Sequence, residues 1–407
     1  MVGRFTWERG PFDRCPGCRR DTFGILSAGG HSLTRRCTEC RYSHDEPLPA
    51  LDKRVLYLDQ NAFSVLFAVE SGGRLPQRHE EFAREFHSRI KQVVLLQQSV
   101  MPHSDIHRDE TTVFRDASAL RRAYEIMGGD ISFTNTRDVE QEQVLHYARA
   151  FMEEGEPGLN FDVDEVLEAE RNHWLPDMHI GVDMDYSQFA DELRQSRDRG
   201  HEGMLQLVNS WARERPSFDA VLTREMNSFA SARRNGLVAA VDALIASAGS
   251  EDPMAMFNAH HNPILEEHRT LSHLFVSTGR DQREAGPMVI RFWDWERNKE
   301  MPHHRISSYL FAAMARRVTG GQRRVTRGFM NDVRAISTYA PYVDAMFVDR
   351  ECAQLLGEGR LRDELKYKAR IFSFADTDAF LNYLQGLEDR ATDEVRACAA
   401  LIYGLDV

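Results

Sequence analysis

Two apolar runs at opposite ends of the chain each close on an aspartate, and any fold for this sequence must explain both. The first is Val55-Leu56-Tyr57-Leu58, which runs into Asp59; the polar pair Gln60-Asn61 and a helix-like pattern follow. The second runs from Tyr342 to Val348 and ends in Asp349, with Asp344 at its start. Short apolar runs bounded by turn and helix signals read as buried strands. In an open α/β sheet the C-terminal ends of such strands are where sites are built. A carboxylate there must hold a cation or a proton, or accept good hydrogen bonds, because desolvating an unpaired charge is costly.

The segments around these runs carry the remaining elements. Helices are predicted over about 64–69 and 78–91, the second with Phe82, Phe86 and Ile90 on one face. The run beginning at Val93-Val94-Leu95-Leu96 reads as the start of a short strand. If a helix begins near His103, then Ser104, His107 and Glu110 share a face that turns toward Asp59. Residues 112–301 read as a long helical insertion, with apolar residues recurring at three and four and breaks at Gly128-Gly129 and Gly155-Glu156-Pro157-Gly158. After Pro302 come a helix over 303–317, a helix over 326–339 carrying Asp332, and a last strand over 369–374. The expected fold class is therefore α/β: a mostly parallel sheet flanked by helices. Its two parts, 51–111 and 302–407, are separated by the all-helical insertion and preceded by a small unit over 1–50.

That first unit is defined by cysteine spacing. Cys15-Pro16-Gly17-Cys18 and Cys37-Thr38-Glu39-Cys40 are two Cys-x-x-Cys knuckles with eighteen residues between them. Four thiolates placed this way close a tetrahedral structural Zn²⁺ site of the ribbon type. The intervening residues fit a hairpin turning at Ala28-Gly29-Gly30. His31 and His44 are read as bystanders to the four thiolates, and His173, His260, His261 and His268 show no metal-ligand spacing. Arg14, Arg19, Arg20, Arg35, Arg36 and Arg41 make the ribbon locally basic, which favours nucleic acid as its partner over a purely structural role.

Bulk properties narrow the function classes. A net charge of −12 excludes a global basic field for a polyanion, so such a partner needs a local patch. The patch in view is Arg316, Arg317, Arg323, Arg324 and Arg327. No apolar run approaches the ~20 residues of a membrane span, and the start Met-Val-Gly-Arg-Phe-Thr-Trp-Glu-Arg has no apolar signal-peptide region. A cytoplasmic protein with reduced cysteines and no membrane contact is the expectation.

Asp59 and Asp349 at strand ends, Glu110 on a helix between them and Asp332 on the helix before the second strand form a set of acids. Clustered carboxylates repel one another unless a divalent cation neutralises them, and an all-oxygen set favours Mg²⁺ or Mn²⁺. The order strand–Asp59, helix–Glu110, helix–Asp332, strand–Asp349 resembles a PIN-like nuclease domain. The matching motifs are Leu56-Tyr57-Leu58-Asp59-Gln60-Asn61, the block from Pro102 to Glu110, and Asn331-Asp332 followed by Ala340 to Asp349. The resemblance implies a mostly parallel sheet and a metal-dependent endoribonuclease that hydrolyses phosphodiester bonds. Asp59, Glu110, Asp332 and Asp349 would be its catalytic metal ligands, with Asp344 competing for the fourth place. The implied substrate is RNA, or DNA. The large insertion and the ribbon at the front depart from the family pattern and offer surfaces for a protein partner or a second copy. The alternative is a non-catalytic scaffold that binds nucleic acid or protein through the ribbon.

Overall fold

Two four-stranded sheets organise the chain. The computed structural model describes residues 9–73, 75, 80–113, 120, 124, 127–129, 131–175, 187–248, 252–322 and 324–404. In the first sheet β1 (Arg9–Arg14), β2 (Asp21–Gly29), β3 (Ser32–Cys37) and β4 (Ser43–Pro47) lie antiparallel in sequence order. Gly29 pairs with Ser32, which leaves Gly30 and His31 at the hairpin tip, and Gly30 takes the left-handed conformation the tight turn requires.

The second sheet contains β5 (Arg54–Leu58), β6 (Ser99–Val100), β7 (Ala345–Phe347) and β8 (Arg370–Phe372), all parallel, in the order β6-β5-β7-β8. Both faces are covered, as an all-parallel sheet requires. Val55 and Tyr57 enter a core built with the helices Pro302–Thr319 and Phe329–Tyr339, while Leu56 and Leu58 enter another with Phe63, Phe86, Phe347 and Phe380. This alternation explains why β5 is apolar at every position rather than every second one.

Helix α1 (Gln60–Glu70) leaves directly from β5, and α2 (Glu80–Leu95) returns toward β6. The strand expected to begin at Val93 is instead the end of α2. Ala83, Phe86, Ile90, Val93 and Val94 are all buried along one helical stripe, and the strand follows at Ser99. Helical spacing thus overrides the β-branched pair. The run before Asp349 is also shorter than expected, with only Ala345–Phe347 forming strand.

Helices Thr136–Glu153, Ala190–Glu214, Phe218–Ser247, Pro253–His260, Pro263–Ser277 and Gln282–Trp293 make up most of the described part of 112–301. The stretch 154–175 departs from the all-helical expectation: it is mostly irregular and is held by bridges from Leu167 to Phe133 and from Trp174 to Gly30. The helices serve two cores. Val144, Tyr147, Leu271, Phe275 and Phe292 bury one another, whereas Met204, Val208, Trp211, Phe218 and Val221 join the core of the Pro302–Thr319 helix. Asp105 ties the first of these helices down, accepting from Thr136 N at 3.2 Å and Thr136 Oγ1 at 2.7 Å. No helix among the described residues is long and apolar enough to cross a membrane.

Helix α3 (Asp105–Thr112) is locked to β5 by one imidazole. Ser104 caps the helix, and its backbone N–H donates to His107 Nδ1 at 3.0 Å. His107 Nε2 then donates to the Leu58 carbonyl at 2.7 Å, one residue before Asp59. Burial drives the pKa of His107 down to about 3, so the ring stays neutral and keeps this donor–acceptor pattern. His107 is therefore a strut between two elements rather than a phosphate or Glu110 contact. Replacing it by Ala removes the strut and leaves the Leu58 carbonyl unpaired; urea unfolding should show a loss of about 2–4 kcal/mol. A loss below about 0.5 kcal/mol, the range of a neutral surface change, would contradict the role.

Candidate functional site

Asp59 and Asp349 emerge beside each other from neighbouring parallel strands. β5 and β7 align Leu58 with Phe347, and Asp59 N donates to the Phe347 carbonyl at 2.9 Å. The chain leaves β5 toward β6 on one side and leaves β7 toward β8 on the other. Such a reversal opens a crevice at the carboxyl ends of the strands.

Asp59 is buried and caps α1, with Oδ1 accepting from Ala62 N at 2.9 Å. Its Oδ2 is also buried and has no partner in hydrogen-bonding geometry. Asp349 Oδ1 accepts from Glu351 N at 2.7 Å and caps the helix Arg350–Leu356. Asp332 lies in the first turn of the Phe329–Tyr339 helix, and Glu110 on the last turn of α3. Asn331 donates to Glu110 Oε1 at 2.9 Å and so orients it.

The charges of these acids bear on one another. Burial, then the charges of Asp349 and Glu110, raise the pKa of Asp59 to about 7 against the pull of the Ala62 amide and the Asn61 side chain. Burial together with the charges of Asp59, Asp349 and Glu110 raises that of Asp332 well above the usual carboxylate range. Glu110 is raised by burial, opposed by Asn331 and Arg197. The acids nevertheless stand further apart than the cysteine thiols. Among the described residues, the groups of three or more potential ligands within 4.8 Å of one another are the four cysteines and the set His31, Glu170 and His173. Unneutralised carboxylates resist closer approach. A hydrated divalent ion, which keeps several waters, suits the wider spacing. The orphaned Oδ2 of Asp59 is the feature that fits a cation best.

Asp344 is not brought to the others. It sits at the opposite, N-terminal end of β7, where Oδ2 accepts from Val55 N at 2.9 Å and Oδ1 pairs with Arg54 and Lys368 at 3.3 and 3.5 Å. A strand of three residues separates its two flanking aspartates onto opposite edges of the sheet, which rules Asp344 out as an alternative to Asp349.

The expected arginine patch is also dispersed. Arg316 and Arg317 both engage Glu358, Arg317 at 2.8 Å, and thereby pin the end of the Pro302–Thr319 helix to the N-cap of the helix Gly359–Glu364. Arg327 pairs with Asp198 at 3.5 Å, Arg324 is exposed, and Arg323 lies outside the described residues. In the ribbon, Arg35 pairs with Asp13 at 2.5 Å and Arg20 with Glu39 at 3.0 Å.

The insertion contributes residues that the sequence did not point to. The helix Ala190–Glu214 closes a cavity of about 150 Å³ over Glu110, lined by Arg197, His201, Arg327, Asn331 and Asp109 among others. Glu351 is a further acid, whose charge reaches Asp332. Asn331 and Glu351 adjoin the acids in sequence, so adjacency was an available signal. Arg197 has none, because tertiary packing alone brings it to Glu110.

The ribbon cysteines cluster as their spacing predicts. Cys15 and Cys40 sulfurs lie 3.5 Å apart and those of Cys18 and Cys37 lie 3.6 Å apart. Ligands of a tetrahedral zinc at Zn–S of about 2.3 Å stand about 3.8 Å apart, so the cluster is compatible with a zinc ribbon. Gly17 N and Cys40 N donate to Cys15 and Cys37 sulfurs, stabilising thiolates.

Comparisons with protein-family models, curated proteins and solved structures find no match to this chain.

The raised Asp59 pKa has a testable sign. Folded Asp59 holds its proton to about pH 7, whereas in the unfolded chain it ionises near 4. The folded state thus binds more protons between these values, and stability falls as pH rises from about 4 to about 7. The Asp59 contribution is at most roughly 4 kcal/mol at 1.36 kcal/mol per pKa unit. Without added divalent cation, Asp59→Asn should unfold at higher urea than wild type at pH 8 and show a shallower decline between pH 5 and 8. Parallel pH profiles for the two proteins would contradict this account.

Proposed function

We propose that this chain is a divalent-cation-dependent endonuclease that hydrolyses phosphodiester bonds, with RNA as the preferred substrate. The observation that carries the reading is the buried Asp59 beside Asp349 at the ends of adjacent parallel strands, with Glu110 and Asp332 in their field. This arrangement and the parallel sheet support the resemblance to PIN-like nucleases, and the preference for RNA rests on that resemblance alone.

In this reading Asp59, Asp349, Asp332 and Glu110 hold Mg²⁺ or Mn²⁺, directly or through water. The bound ion supplies Lewis-acid stabilisation of charge on phosphorus and makes water a better nucleophile. The protein groups do the positioning. Asn331 fixes the Glu110 carboxylate, Asn61 and the Ala62 amide favour the ionised form of Asp59, and Arg197 and Arg327 place positive charge at the cavity beside Glu110. A backbone phosphate entering there meets guanidinium groups on one wall and acids on the other, which sets the strand's direction across the cleft. Structural zinc on the four cysteines would hold the ribbon, which packs beside the N-terminal end of β5, away from these acids.

With Mn²⁺ the purified protein should cut single-stranded RNA, and Asp59→Asn should lower the rate by on the order of 10²-fold or more. Asp344→Asn should retain cleavage, because Asp344 lies at the other edge of the sheet. Arg197→Ala should weaken RNA binding and reduce the salt slope by about one phosphate contact. Cleavage at the wild-type rate by Asp59→Asn would overturn the site assignment, and no Mn²⁺-dependent cleavage of RNA or DNA by the wild type would favour the scaffold reading.

A further inference from the structure

We propose a second transition-metal site, of the Zn²⁺ class, formed by His31, Glu170 and His173 at the seam between the ribbon and the α/β body. Their ligand atoms lie within 4.8 Å of one another, a property shared among the described residues only with the four cysteines. Two of the three come from segments that pair across the seam. Gly30 N donates to the Trp174 carbonyl at 3.1 Å, and Trp174 N donates to the Gly30 carbonyl at 2.7 Å. An antiparallel bridge at these residues sets His31 opposite His173. Side chains alternate along extended backbone. Trp174 points inward, fully buried with Ile25, Leu33 and Leu48, so its neighbour His173 turns the other way, where its ring meets the exposed ring of His31.

The donor set and its spacing fit one ion. The two imidazole rings lie 4.8 Å apart between centroids, edge to face. The Glu170 carboxylate spans them: Oε1 is 3.7 Å from His31 Nε2 and Oε2 is 2.8 Å from His173 Nε2. Nitrogen and oxygen ligands of a tetrahedral zinc at about 2.0–2.1 Å stand about 3.3 Å apart, and the two distances bracket that value. Two imidazoles and one carboxylate suit Zn²⁺, leave a fourth position for water, and are poor ligands for Mg²⁺ or Ca²⁺.

The backbone under the triad is held in place, unlike that of an ordinary surface ion pair. Arg171 Nη1 donates to the Lys53 carbonyl at 2.7 Å, and Lys53 N donates to Asn172 Oδ1 at 3.0 Å. Lys53 Nζ donates to the His173 carbonyl, and Trp174 Nε1 donates to the Pro49 carbonyl at 2.8 Å. On the ribbon side, Leu48 N donates to the His31 carbonyl at 2.9 Å. Both halves of the site are preorganised before an ion arrives, so binding does not have to order them. An ion held there links the hairpin tip to the segment that fastens β5, and so clamps the ribbon onto the body. The site is independent of the proposed nuclease chemistry.

Metal counting tests it directly. Full-length protein is saturated with Zn²⁺, passed through gel filtration in zinc-free buffer and assayed by inductively coupled plasma mass spectrometry. Wild type should retain two zinc ions per chain, and His31→Ala and Glu170→Gln one each. His31 is an exposed turn residue, so its replacement spares the fold. Substitution with Co²⁺ should give thiolate charge-transfer bands of unchanged intensity in both variants, with a weaker nitrogen–oxygen d–d spectrum lost from each. One zinc per chain in wild type, or two in both variants, would overturn the proposal.

Discussion

The alignment of β5 with β7 is the constraint on which the rest of the structure depends. The bond from Asp59 N to the Phe347 carbonyl extends the ladder by one residue beyond β5 and fixes the two strands in register. Because the strands are parallel, their aspartates must emerge at the same edge. Because both faces of the sheet are covered, Asp59 emerges buried, with Asp349 half-buried beside it. Repulsion and burial are thus built into the fold, and Asp59, Asp332 and Glu110 all have raised pKa values as a result. Protein folding does not favour such a cluster for its own sake. A cation that neutralised it would offset the cost, which is the ground of the proposed site.

The supporting elements converge on the same edge. His107 holds α3 against the last residue of β5 and so places Glu110, while Asn331 holds Glu110 from the opposite side. Asp105, two residues before His107, fastens the first helix of the insertion. The insertion is therefore tied to the same short helix that carries one of the acids. Its longer helices pack on the Pro302–Thr319 helix and bring Arg197 over the cavity. The Arg197 guanidinium and the Glu110 carboxylate then meet between two parts of the chain that are distant in sequence.

Features whose chemistry is local were legible in the sequence. The two cysteine knuckles, the apolar strands ending in Asp59 and Asp349, and the start of α3, read near His103 and found capped by Ser104, all rest on spacings of a few residues. What depended on the end of a strand or on tertiary pairing was not. Asp344 and Asp349 flank a strand only three residues long, and the run of apolar residues does not mark which end faces the crevice. Val93 and Val94 satisfy a helical stripe and a strand equally well until Ala83, Phe86 and Ile90 are seen beside them. Arg316 and Arg317 read as a basic patch because Glu358, their partner, stands some forty residues on, at the cap of another helix. His31 and His173 read as bystanders because only the Gly30–Trp174 bridge sets them face to face.

The central claim is that the buried acids at the β5–β7 edge exist to hold a divalent cation. Anomalous diffraction from crystals soaked in Mn²⁺ tests it most directly. The account predicts manganese at the carboxyl ends of β5 and β7, bound by Asp59 and Asp349, with Glu110 or Asp332 reached directly or through water and metal–oxygen distances near ~2.1 Å. Saturating Mn²⁺ with no anomalous peak between Asp59 and Asp349 would contradict it.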